Sequence, residues 1–152
     1  ATPAAMASAA PVGDHASQFL TDVIQTNNAE IKFGQAAQAQ GSTQAVRDFG
    51  KMLVDDHIKA NEQATKLASS MNVAVPSGVK PEDMSAFNMA TSMSGAGFDK
   101  DFAADMVKGH QAAIAKFQQE ADSSDPAPVT DFAKQTLPTL KKHLKTAQSL
   151  QK

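Results

Sequence analysis

The sequence predicts an all-α fold: four long amphipathic helices packed as a bundle, with a long connection carrying a short helix between the second and third. Three observations predict it. Apolar residues recur at spacings of three and four along four stretches of the 152-residue chain, the spacing that gathers side chains on one helix face. Ala, Gln, Lys and Met are plentiful while β-branched residues are sparse, which favours helix. Helix breakers gather between the periodic stretches, and neither a strand pattern nor an internal repeat is visible.

The first helix is expected from about His15 to Gln40, with Phe19, Leu20, Val23, Ile31 and Ala37 on one side. Asp14 can cap its start and Gly41 can end it. Ser42 or Thr43 then caps a second helix reaching about Met71, whose stripe is Val46, Phe49, Leu53, Ala60, Ala64, Leu67 and Met71. So short a break makes these two helices antiparallel neighbours. Pro76, Gly78 and Pro81 interrupt the chain next, and Pro81 followed by Glu82 and Asp83 starts a short helix over about 82 to 93. The third long helix covers about Phe98 to Ala121, with Phe102, Met106, Val107, Ile114 and Phe117 inward. After SSDPAP, the fourth runs from about Ala127 to Leu150, with Val129, Phe132, Ala133, Leu137, Leu140, Leu144 and Ala147 inward, and Pro138 is expected to kink it. Helices of this length, with one long connection between the second and third, give a ferritin-like four-helix bundle topology.

Composition bounds what the chain can do. It is 41% hydrophobic and 20% charged, the balance of a globular domain. A formal net charge of -2 supplies no basic footprint, so no nucleic-acid partner is expected. The absence of cysteine excludes disulfides, thiolate chemistry and cysteine-bound zinc or iron–sulfur sites. No apolar run approaches the roughly 20 residues of a transmembrane span. The opening ATPAAMASAAPVG has neither the charged start nor the apolar centre of a signal peptide, and reads as a tail exposed once one has been removed. Residues 1–14 are therefore expected to be a flexible tail and residues 15–152 a single bundle domain.

Of four histidines, His15 stands at the edge of the first helix and carries little signal. The other three fall one per helix on apolar stripes. His57 holds the heptad position of Gly50, Ala64 and Met71; His110 that of Ala103 and Phe117; His143 that of Val129, Thr136 and Leu150. The first helix offers Glu30, in register with Val23 and Ala37. Each is near mid-helix, so at about 1.5 Å of rise per residue their levels agree to about a turn. Three imidazoles and a carboxylate suit one divalent metal ion, zinc first, with copper, nickel or iron also accommodated. A cation would also offset the cost of burying Glu30. Asn27 and Asn61, one turn away, could orient the ligands. Asp56 lies about 100° round the helix from His57 and should face a neighbour or solvent. The competing expectation is a polar network without metal, in which Glu30 serves as hydrogen-bond acceptor and the cluster fixes helix register.

Other chemistry is weaker. Met84, Met89 and Met93 could bind Cu(I) through thioethers, but methionine is also a common gap-filler on short packed helices. There is no Gly-rich phosphate loop, no nucleophile elbow and no serine well placed beside the histidines, so no catalytic residue is assigned. An enzyme would require an open fourth position on a three-histidine metal, where water could be activated.

Three blocks carry a resemblance: MLVDDH with Asn four residues later; FD followed by MV and His in FDKDFAADMVKGH; and TLPTLKKHL. Over about residues 15 to 150 the chain resembles an exported bacterial family of unknown function with a ferritin-like fold, whose members are often labelled outer-membrane or periplasmic proteins. The resemblance implies export to the periplasm or envelope, and no established activity. Likeness to ferritins proper stops at the metal. Their di-iron sites use Glu-x-x-His pairs, whereas Val54, Val107 and Leu140 stand three residues before His57, His110 and His143. Ferroxidase and iron-storage roles are therefore not expected, while a mononuclear site survives.

Overall fold

The computed structural model describes residues 13–152, and the expected tail up to residue 12 lies outside them. Five helices follow one another: α1 (Asp14–Gln40), α2 (Gln44–Ser70), α3 (Pro81–Thr91), α4 (Gly95–Ala121) and α5 (Ala127–Leu150). No strand occurs among the described residues. Among these residues no helix is long and apolar enough to cross a membrane. The long helices pack α1 on α2, α4 on α5, α2 on α5 and α1 on α4, and the short α3 lies against α1 and α4.

Local chemistry sets the ends. Asp14 lies inside the first turn of α1 and Gly13 takes the cap position without a side-chain bond, so Asp14 complements the helix dipole instead of capping. At α2 the cap is Thr43, whose hydroxyl accepts the Val46 N–H at 3.2 Å. Asn72 ends α2 with φ of 57°, a left-handed conformation that asparagine tolerates well. Pro81 opens α3 with Glu82 and Asp83 in its first turn. α5 continues through Pro138 as one helix.

The core has two apolar halves. One joins Phe19, Leu20, Val23 and Ile24 of α1 to Ala64 and Ala68 of α2, Phe117 of α4, and Val129 to Leu140 of α5. The other joins Phe33 and Ala37 of α1 to Val46, Phe49 and Leu53 of α2, Phe98 to Met106 of α4, and Ala147 of α5. Ile31, Val107, Ile114 and Leu144 are only partly covered, while Ile24 and Phe33 are buried. Between the halves, every long helix contributes polar residues: Asn27 and Glu30, His57, His110, and His143, all buried.

At one crossing, α1 and α2 approach through glycines. A Cβ on Gly34 would lie 2.7 Å from the Gly50 carbonyl oxygen, and one on Gly50 would lie 2.6 Å from that of Gly34. Only glycine leaves room for backbones this close.

Candidate metal centre

The polar layer brings the three mid-helix histidines together. His57, His110 and His143 each offer a ring nitrogen, and these nitrogens all lie within 4.8 Å of one another. Burial is nearly complete, at 4%, 1% and 0% exposure. The ring centroids are 5.3 to 5.9 Å apart.

The outer nitrogens have partners that dictate where the protons sit. His110 Nδ1 lies 2.8 Å from the Met106 carbonyl oxygen. A carbonyl only accepts, so Nδ1 carries the proton and Nε2 presents a lone pair. His143 Nε2 lies 2.8 Å from Asp56 Oδ2; it donates to that carboxylate, leaving a lone pair on Nδ1. His57 Nδ1 lies 3.0 Å from Asn27 Oδ1, and an amide chain decides its direction. Asn28 Nδ2 donates to the Gly78 carbonyl at 2.9 Å, Asn61 Nδ2 to Asn28 Oδ1 at 3.1 Å, and Asn27 Nδ2 to Asn61 Oδ1 at 3.4 Å. The carbonyl at the far end fixes every amide, so Asn27 Oδ1 accepts from His57 Nδ1–H. His57 Nε2 is then an acceptor, buried and without a partner among the described residues.

The result is three inward lone pairs. His110 Nε2 and His143 Nδ1 face each other across 3.3 Å as two acceptors, an arrangement that needs a proton or a cation between them. Burial pushes His57 well below the ordinary imidazole value, reinforced by His110 and His143. Burial also lowers His143, and outweighs the opposing hydrogen bond to Asp56. Neutral imidazole is the form that ligates metal. Each ring also donates its other N–H to a carboxylate, carbonyl or amide oxygen, as ligating histidines characteristically do.

The close set holds the three histidines and not Glu30. Glu30 lines the same cavity, of about 50 Å³, together with Asn27, Asp56 and the histidines. It is 7% exposed, its Oε2 has no partner among the described residues, and burial raises its pKa. It also borders an outer groove between α1, α3 and α4 that carries Glu82, Asp83 and Asp105. Asp56 does face a neighbour: it reaches α5 and orients His143. Asn28 and Gly78, which fix the His57 proton through Asn61 and Asn27, carried no signal in the periodicity. The methionines are dispersed in environment: Met89 is 62% exposed while Met93 packs against the core half that holds Phe98.

A domain of unknown function, DUF4142, matches residues 1–150. The chain belongs to the DUF4142 family. No curated protein matches it. Its fold is similar to the crystal structure of a DUF305 fragment from Deinococcus radiodurans, with a TM-score of 0.82 over 93% of this chain and 98% of that one, at 14% identity. At that identity the likeness speaks for the fold of this DUF4142 chain alone.

Proposed function

We propose that this chain is an exported, ferritin-like four-helix bundle that holds one divalent transition metal ion through His57, His110 and His143, with Glu30 as the nearby carboxylate. The observation that carries the reading is the set of three buried imidazoles whose outer partners turn all three lone pairs inward. A tetrahedral ion with Zn–N bonds of about 2.0–2.1 Å separates its ligands by roughly 3.3–3.4 Å. The 3.3 Å between His110 and His143 nitrogens matches that spacing. Zinc is therefore the first candidate, with copper or nickel next.

The shared core halves support the ferritin-like topology. The start of α1 packs with the ends of α2 and α4 and the start of α5; α2 and α4 then run the same way, and the long connection carrying α3 returns the chain. The outer groove bordering Glu30 carries Lys80, Lys108 and Lys116 as well as Glu82, Asp83 and Asp105, so it is of mixed charge. The role this reading favours is metal handling or stress protection in the periplasm or envelope.

Elemental analysis of tag-free protein, followed by melts with zinc, copper and nickel, tests the reading. The expected result is near-stoichiometric metal, or a saturable rise in melting temperature that His110→Ala diminishes. Metal-free protein whose melt no ion shifts would sink it, leaving a polar core that fixes helix register.

A further inference from the structure

A second group of ligating side chains sits at the far end of the molecule. His15 in the first turn of α1, Glu120 in the last turn of α4 and Asp125 in the α4–α5 connection each offer one atom, all within 4.8 Å of one another. His15 Nδ1 lies 2.6 Å from Asp125 Oδ2 and 3.3 Å from Glu120 Oε2. The loop is held in place: Ser123 N–H donates to the Glu120 carbonyl at 3.0 Å, and Asp125 N–H to Ser123 Oγ at 3.2 Å.

Glu120 is the unusual member. It is 1% exposed, and neither carboxylate oxygen has a hydrogen-bond partner among the described residues. A buried carboxylate so poorly supplied with donors is unfavourable unless it takes up a proton or meets a cation. Burial, with Asp125 beside it, accordingly raises its pKa to about 7. Among the described residues the positive charge at hand is a protonated His15, and that imidazole is aimed more closely at Asp125.

We propose that His15 Nδ1, Glu120 Oε2 and Asp125 Oδ2 form a second divalent-cation site, which ties the start of α1 to the α4–α5 hairpin. One imidazole and two carboxylates are a borderline-hard donor set suited to zinc. The His15–Glu120 separation already matches a tetrahedral ligand edge, while Asp125 sits at proton-sharing distance and has to withdraw by under about 1 Å. The His15 side chain is 58% exposed, so the outer side of the site is open and solvent can complete the coordination. Binding releases the protons shared by His15 and the two carboxylates. The site uses none of the mid-bundle ligands, so each can fail alone.

Zinc chloride titrated calorimetrically into the intact, tag-free chain at about pH 7.5 tests it, with nitrogen-15 spectra recorded alongside. His15→Ala removes an exposed side chain and should remove one binding event or weaken it at least about tenfold, leaving a second event that only His57→Ala removes. In wild-type spectra zinc should shift the amide signals of Glu120 and Asp125. An isotherm unchanged by both His15→Ala and Glu120→Gln, or amide signals of Glu120 and Asp125 that zinc leaves unmoved, would overturn the proposal. A wild-type isotherm that lacks any His57-dependent event, with the His15-dependent one present, would instead overturn the mid-bundle reading.

Discussion

Nε2 of His110 lies 3.3 Å from Nδ1 of His143, and each of these nitrogens is left as an acceptor because its ring donates elsewhere. The Met106 carbonyl holds the proton of one ring and the Asp56 carboxylate that of the other. Imidazole nitrogen-15 spectra of metal-free protein should therefore show His57 and His110 protonated at Nδ1 and His143 at Nε2. Zinc should leave all three tautomers in place. The opposite tautomer at His143 would show that the inward lone pairs do not exist.

Asp56 acts on the metal through His143. Asp56→Asn keeps an acceptor but removes the charge that makes His143 basic, so zinc affinity should fall about 10- to 100-fold. Competition against a chromophoric chelator measures this. An unchanged affinity would detach Asp56 from the site.

The connector reaches His57 through amides. Asn28→Ala breaks the chain from the Gly78 carbonyl to Asn61. Stability should fall by about 1 kcal/mol, and the His57 ring should lose its single tautomer. Retention of one sharp Nδ1–H form in this variant would show that Asn27 alone sets the proton.

Gly34 and Gly50 test the close crossing of α1 and α2. Alanine in a helix is favoured over glycine by about 1 kcal/mol, yet either Cβ would meet a backbone oxygen at 2.6 to 2.7 Å. Backbone cannot swing aside as a flexible side chain would, so the clash should win. A loss of about 2 kcal/mol or more, or roughly 4–8 °C in Tm, is expected for each. A rise in Tm would mean that the helices separate freely.

Asp105 gives a pH dependence whose sign runs against the usual carboxylate. Burial, with Asp101 beside it, raises its pKa from 3.8 to about 6, and its Oδ2 is buried without a partner. The folded chain therefore binds this proton more tightly than the unfolded chain. Its contribution to stability is full below about pH 4 and lost as pH rises through about 6. Asp105→Asn should be more stable than wild type by about 1 kcal/mol at about pH 8, and the gap should close by about pH 4. Urea unfolding at both pH values checks it; a gap that widens in acid would reverse the sign.

Much of the fold was legible because helical periodicity is a local signal. Four long stretches and the Pro81 start placed the helices to within a few residues, and Thr43 capped as its chemistry suggests. Asp14 shows the limit: a capping residue type is recognisable, but whether it sits at the cap or one residue inside depends on backbone geometry at Gly13. Ile24 and Phe33 are buried outside the expected stripe, because a stripe on one helix does not reveal where its neighbours cross.

The sequence by itself determined that the chain is all-helical and that His57, His110 and His143 stand near mid-helix among apolar residues, because helix period and rise are fixed by the backbone. It also excluded thiolate chemistry and the Glu-x-x-His ligand pattern, because those require residues the chain does not have. Only the tertiary structure decided which groups meet. It gathered the three imidazoles, set Glu30 beside them, turned Asp56 onto His143 from another helix, and joined His15 to Glu120 and Asp125 across 105 and 110 positions. These relations depend on helix rotation and on contacts between distant segments, which no local pattern encodes.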